Sequence, residues 1–562
     1  MNDPGELRSQ RILRRPEWSV HRAVYKAMGY SDYDLDRPLV AIANSWNRVV
    51  PGHANLREVA NQVAQGIFQA GGTPVEFGLI AACDGIAQGH VGMHYVLPTR
   101  EQIANDVEAM VEAHQFDAVV LLGSCDKIVP GLLMAAARLD VPAILVVGGP
   151  MEGGCEFDGR ASDLTTITEA LGMMQAGKLD PQEYRRLEDQ VTPTCGSCAF
   201  LGTANTMCCV AEAMGMCLPG SATIPATQAG RLRSAQEAGR QIMHLLRARI
   251  TARQIINRKG IENAARVGAA IGGSTNLALH LPAIAYEAHC DEITLDRLES
   301  LWRTTPQVAR MNPAAAWNVP HFHAAGGVPA VMHTLLPLLH GDAMTVTGRT
   351  VAENVAEARI ANPQIIRRLD DPFSPGGGLA VLRGNLAPRG AITKPAAIDP
   401  RQHVFSGVAR CFDTEEEADR AILDGAVQAG QVVVIRYEGP KGGPGMREMY
   451  TAVKLLYGRG LALQTAVITD GRFSGTNNGC FVGHISPEAA EGGPLAAVRD
   501  GDWITIDIPQ RRLHLEVSDE EIRRRLAAWK RPPLRFTQGY LSLYARLAES
   551  ADRGAIIAHR QS

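Results

Sequence analysis

At 562 residues the chain exceeds what one ordinary hydrophobic core supports, so two or more domains are expected. Hydrophobic residues make up 46% and charged residues 20%, and 56 Lys+Arg against 59 Asp+Glu leave a formal net charge of -3; this balance excludes extended disorder and offers no broad basic field for nucleic acid. Residues 1–20 are polar and Arg-rich with no apolar signal core, and no apolar run reaches bilayer length, so a cytosolic protein without membrane partners is expected.

In chain order, an apolar β-rich run at 39–43 is followed by a helix-like stretch at 54–70, a strand at 77–82, a helix at 103–114, a strand at 118–122, a helix at 131–139 and a strand at 143–147. Such alternation predicts βαβ units building a parallel sheet. Residues 195–340 are rich in Ala, Leu and Met at helical spacing, notably over 199–214 and 264–285, and predict helices packed around that sheet. The Pro/Gly cluster at 371–378 ends the helical region. Short β-runs at 432–435, 466–468, 503–508 and 513–517, then a helix at 519–529, follow it. The expected fold is therefore α/β: a large parallel-sheet domain over 1–375 and a smaller β-rich, barrel-like domain over 376–562.

Eleven cysteines, an odd number in a chain without a secretory signal, read as thiols or metal ligands rather than a disulfide framework. Cys155, Cys208, Cys209, Cys217, Cys290 and Cys411 stand in apolar or helical text, where cysteine behaves as a small buried hydrophobe.

Chemistry concentrates in four glycine-bearing segments at strand ends, where α/β proteins bind ligands. Cys83-Asp84-Gly85-Ile86-Ala87-Gln88-Gly89-His90 can present the Asp84 oxygens to a hard cation, although alone it reads more simply as a turn or helix cap. Gly123-Ser124-Cys125-Asp126-Lys127 crowds a thiol, a carboxylate and an amine, an uncommon way to build a plain turn, and a desolvated lysine can react with carbon dioxide. Thr194-Cys195-Gly196-Ser197-Cys198 is a C-x-x-C compatible with redox, zinc or iron-sulfur chemistry; without a second pair it must borrow a ligand, and Cys125 is the natural donor. The last segment comprises two Gly-rich runs, from Tyr437 to Glu448 and Asp470-Gly471-Arg472-Phe473-Ser474-Gly475, which lack the spacing of a phosphate loop or a nucleophile elbow.

Together with Pro51-Gly52-His53, Thr203-Ala204-Asn205 and Gly272-Gly273-Ser274-Thr275-Asn276, these segments resemble, nearly end to end, the dihydroxy-acid dehydratase family, which also holds the sugar-acid dehydratases and 6-phosphogluconate dehydratase. The resemblance implies an iron-sulfur cluster on Cys125 and Cys198, and magnesium held by Asp84, Asp126, Glu448 and a carboxylated Lys127. Ser474 matches the proton acceptor that takes the C2 proton, the C3 hydroxyl leaves with help from the cluster, and the enol becomes a 2-keto acid. Members with a 2Fe-2S cluster carry cysteine where this chain has Gly52. That departure resembles the oxygen-sensitive 4Fe-4S branch and leaves Cys195 or Cys83 as third ligand. The implied substrate is 2,3-dihydroxy-3-methylbutanoate, from branched-chain amino-acid biosynthesis, with an aldonate as the alternative. An iron-sulfur redox protein is a more remote reading, and a homodimer or homotetramer is implied.

Overall fold

The computed structural model describes residues 6–474 and 479–560, so Gly475 of the second Gly-rich run lies outside the described residues. After short N-terminal helices the chain enters β1 (Leu39–Asn44), β2 (Thr73–Gly78), β3 (Ala118–Leu122) and β4 (Ala143–Val146). They form one parallel sheet in the order β2-β1-β3-β4. Every residue of β1, β3 and β4 is buried, as expected for strands covered by helices on both faces. The connecting helices are Leu56–Gln69, Thr99–His114 and Ile128–Leu139. Leu56–Gln69 lies against helix Ala229–Ala248 at Gly66 and Gly239, where a β-carbon on Gly66 would fall 2.1 Å from the Gln236 carbonyl oxygen. Only glycine allows this approach.

A two-residue hairpin, β5 (Glu156–Phe157) and β6 (Arg160–Ala161), precedes a helical layer that includes Thr203–Ala213, Arg258–Ala270 and Leu277–Glu287. The single helix expected over 264–285 is in fact two. Gly272, at φ 65°, breaks the run, and the Gly272-to-Asn276 segment crosses between them. The strand expected at 77–82 stops at Gly78, because beyond the Leu79 amide, which bonds the Asn44 carbonyl at 2.9 Å, the chain leaves the ladder toward Asp84.

The second half is a closed barrel of β7 (Ala380–Gly384), β8 (Ala387–Thr393), β9 (Val404–Phe412), β10 (Gln431–Ile435), β11 (Ala466–Thr469), β12 (Cys480–Ser486), β13 (Trp503–Asp507) and β14 (Arg512–Leu515). The strand order is β10-β11-β12-β8-β7-β14-β13-β9. β9 to β12 pair in parallel, with helices Glu415–Leu423 and Tyr450–Arg459 in the first two connections, and the other pairs are antiparallel apart from β14 with β7. Closure leaves no open edge, and the barrel has its own apolar core. The C-terminal segment returns to the first half, where buried Arg100 donates to the Gly554 and Ala555 carbonyls at 2.8 and 3.1 Å. Among the described residues no helix is long and apolar enough to cross a membrane.

Candidate active site

Two loops at the ends of β2 and β3 face two loops that follow β10 and β11. In the first half, Asp84 opens a single helical turn, Asp84–Ala87, just past β2. Cys125 stands in the left-handed region at φ 70°, uncommon for a residue with a β-carbon, and turns the chain sharply between β3 and helix Ile128–Leu139. His53 supports that turn. Burial lowers its pKa; Nδ1 lies 2.8 Å from the Ser45 carbonyl, and Nε2 lies 2.9 Å from the Ser124 carbonyl and 3.1 Å from the Ser124 amide, so the ring ties the Cys125 turn to the end of β1. The Cys198 loop is shaped by Asn205, whose Nδ2 donates to the Cys198 carbonyl and, at 2.8 Å, to that of Phe200.

In the barrel half, Glu448 and Arg472 are brought together by backbone pairing. The Arg472 amide donates to the Arg447 carbonyl at 2.9 Å and the Met449 amide to the Arg472 carbonyl at 3.0 Å. Gln88 of the first half donates to the Glu448 carbonyl at 2.9 Å.

These loops place Asp84, Asp126, Glu448, Cys198, Thr203 and Ser474 around one small cavity of about 30 Å³. One oxygen from each of the three carboxylates lies within 4.8 Å of the others. Fully buried Lys127 donates to Asp84 at 2.8 Å and to Asp126 at 3.4 Å. Arg472, also fully buried, forms a close ion pair with Glu448 and reaches Asp84 at 3.2 Å. Burial disfavours charge on Asp84, but Lys127 and Arg472 outweigh it and hold the carboxyl below its usual range. Asp126 is pushed up to about 7 by burial and then by the Asp84 charge. Three carboxylates thus face two cations, and Asp84 Oδ1 is buried without a hydrogen-bond partner. Three converging carboxylate oxygens with surplus negative charge and an unsatisfied lone pair suit a hard divalent cation.

The thiols fit a metal group as well. Burial, then the Cys83 and Cys198 sulfurs, raises Cys125 well above its ordinary value. Cys198 is raised likewise by burial, with Asp126 and Cys83 adding to it. Clustered thiols that cannot ionise in isolation are those a cationic centre would stabilise as thiolates. A β-carbon on Gly52 would lie 2.6 Å from Cys125 Sγ and 3.2 Å from the Ser197 nitrogen, so the bare glycine forms one wall of this thiol pocket. Cys195 is half-buried in the preceding loop and is not among the residues lining the cavity.

The structure therefore brings together Asp84, Asp126, Lys127, Glu448, Cys198 and Ser474; Cys125 and Cys195 are not among the lining residues, and Cys125 stands near Cys83 and Cys198. Arg472 was not anticipated as a member of the set. It is a cation inside a glycine-flanked loop after a strand, one of two such loops that also carry an acidic residue, and that combination was its available signal.

Comparison with known proteins agrees with this arrangement. Residues 37–354 match the family model described as dihydroxy-acid/6-phosphogluconate dehydratase N-terminal, and residues 364–555 match its C-terminal counterpart. A protein of Acetivibrio thermocellus named dihydroxy-acid dehydratase is 50% identical over 556 residues, covering 99% of this chain and 100% of the relative. Proteins of the same name from Caldanaerobacter subterraneus and Pyrococcus furiosus are 49% and 48% identical, each over 98% of this chain and 99% and 100% of their own lengths.

Proposed function

Since the chain belongs to the dihydroxy-acid/6-phosphogluconate dehydratase family and is a hydro-lyase of dihydroxy acids, we propose that its substrate is 2,3-dihydroxy-3-methylbutanoate, converted to 3-methyl-2-oxobutanoate in branched-chain amino-acid biosynthesis. The observation that carries the reading is one small cavity where three carboxylates, the half-buried Cys198 thiol and Ser474 converge from both halves of the chain. Near-full-length identity to proteins named dihydroxy-acid dehydratase supports it. We take residues 1–375 as the half that holds the cofactors and 376–562 as the half that supplies Glu448 and Ser474. The eleven free cysteines suit a reducing compartment, and we place the enzyme in the cytosol as a homo-oligomer.

In this proposal Asp84, Asp126 and Glu448, with Lys127 in carboxylated form, hold magnesium, and Cys125 and Cys198 hold an iron-sulfur cluster whose third thiolate is Cys83 or Cys195. When bound, these groups supply Lewis acidity toward the substrate's carboxylate and its two hydroxyls. Ser474 Oγ removes the C2 proton. A serine hydroxyl is too weak a base unless its alkoxide is stabilised, and fully buried Arg472 supplies positive charge beside the cavity. Burial of Ser474, at 6% exposure, keeps bulk water from reprotonating C2. Loss of the C3 hydroxyl then gives an enol, which tautomerises to the 2-keto acid.

The test is to purify the protein without oxygen, determine iron and acid-labile sulfide, and assay keto-acid formation across branched-chain 2,3-dihydroxy acids and aldonates. Iron and sulfide together with preferred turnover of the branched-chain acid are expected. Turnover of aldonates alone would replace the substrate assignment, and background iron would overturn the cluster.

A further inference from the structure

We propose that Thr275 is a positioning residue for Ser474: through one hydrogen bond across the seam between the two halves, it fixes the backbone from which the base works. The inference rests on Ser474 being that base.

The loop that presents Ser474 is held residue by residue. The Gly471 amide donates to Thr469 Oγ1 at 2.9 Å, and Arg472 is paired through both its amide and its carbonyl with the Arg447-to-Met449 segment. Phe473 follows, fully buried, with its ring set edge-on to Phe481 at a centroid distance of 5.2 Å. Its carbonyl, one peptide unit before Ser474, accepts a hydrogen bond from Thr275 Oγ1. This contact spans 198 residues of sequence and comes from the other half of the molecule.

Thr275 is itself braced by a buried network. Ser274 accepts the Asn276 amide at 3.1 Å, lies 2.9 Å from Thr203 Oγ1, and donates its own amide to Thr206 Oγ1 at 3.0 Å. Asn276 Nδ2 donates to Thr203 Oγ1 at 2.7 Å. Thr203, Ser274, Thr275 and Asn276 are each at most 1% exposed, and Thr203 also lines the cavity that contains Ser474. The wall of the cavity and the anchor of the base therefore belong to one hydrogen-bonded unit. Gln88 does the same for the facing loop by holding the Glu448 carbonyl. Each functional loop of the barrel is thus tied to the first half at a backbone carbonyl at or next to its functional residue.

A base displaced by a fraction of an ångström loses alignment with the C2 proton while cofactors and substrate binding stay intact. Thr275→Val removes the donor at nearly constant shape, Thr275→Ala is a second variant free of any steric clash, and Thr275→Ser restores the hydroxyl. The variants are prepared anaerobically beside the parent and Ser474→Ala, and assayed with 2,3-dihydroxy-3-methylbutanoate carrying hydrogen or deuterium at C2. For Val and Ala, kcat is expected to fall by about 10- to 100-fold with parental iron content, KM within about twofold and a C2 isotope effect no smaller than the parent's. Ser is expected to restore kcat. Parental kcat in Val or Ala, a loss of kcat that tracks loss of iron, or an isotope effect that shrinks toward unity would each overturn the proposal. If Ser474→Ala itself keeps parental turnover, the assignment of the base fails; if only Ser474→Ala is impaired, the assignment stands and the role of Thr275 fails.

Discussion

The two faces of the site are built by different means. Asp84, Cys125, Asp126 and Lys127 stand at the ends of two strands of a parallel sheet, in turns braced by His53 and by helix Ile128–Leu139. Glu448 and Arg472 stand on barrel loops that pair with each other and are tied back to the first half through Gln88 and Thr275. One face gathers thiols and carboxylates of the kind that hold metal groups, and the other contributes a single carboxylate, a cation and a hydroxyl. The difference leads us to expect that the two halves fail differently: damage to the first face should empty the site of its metal groups, whereas damage to the second should leave the cluster in place but slow turnover, with Glu448, which also faces the cation, as the link between them.

The largest test of that division is Ser474→Ala. Loss of a proton-transfer base is expected to reduce turnover by about 100- to 10,000-fold while iron and magnesium stay in place. A serine that merely closes a turn would cost about 0.5–1.5 kcal/mol of stability and leave turnover near parental. Turnover, iron content and thermal stability, measured together on variant and parent, separate the two. Iron lost along with activity would break the comparison, because the barrel face would then also hold the cluster.

Glu448→Gln sharpens it further. The substitution removes one of three converging carboxylates and the ion pair with Arg472, so the magnesium needed for half-maximal activity is expected to rise by at least about 10- to 100-fold with iron content unchanged. A magnesium titration under anaerobic conditions reads this. An unchanged requirement would confine the metal to the first face.

The smallest effect concerns the seam itself. His94, from the first half, is buried and donates through Nδ1 to the Pro444 carbonyl of the barrel half at 2.9 Å. Burial, then nearby Arg447, lowers its pKa from 6.5 to about 4. The imidazole is therefore neutral when folded, and its contribution is intact above pH 6.5. As pH falls from 6.5 toward 4 the unfolded chain takes up the proton first, and up to about 3 kcal/mol of stability is lost. His94→Gln keeps a donor but cannot titrate. Denaturant unfolding at pH 7.5 and at pH 4.5 should show the parent losing more stability than the variant, and equal losses would contradict the assignment.

Much of this arrangement is legible in the sequence because it is local. Buried parallel strands read as continuous apolar runs, and the glycine-bearing motifs that follow them mark where ligands bind, so the crowding of Cys125, Asp126 and Lys127 stands out directly, whereas Asp84 alone reads as a turn and Ser474 is singled out only by the family resemblance. What is not legible depends on distant pairing. β9, with Ser406, Gly407 and Arg410 interrupting its apolar residues, gives no strong strand signal, yet it closes the barrel against β10 and β13. Nothing near Arg472 shows that its guanidinium will cross to Asp84, 388 residues away. The break at Gly272 was hidden by the Ala-rich helical text on both sides, although only a glycine-bearing interruption could lead the chain across to Phe473.

Position 52 has a consequence for how this protein could change over evolutionary time. With only a hydrogen at that site, Cys125 Sγ occupies the space where a β-carbon would have to go, and the Ser197 backbone closes the other side. A cysteine there would not simply add a fourth thiol to the pocket. It would turn the Cys125 side chain aside and press the Ser197 backbone back by a few tenths of an ångström. Passing from the glycine to a cysteine at this position therefore calls for a rotation of one side chain and a slight give in one backbone segment along with the codon.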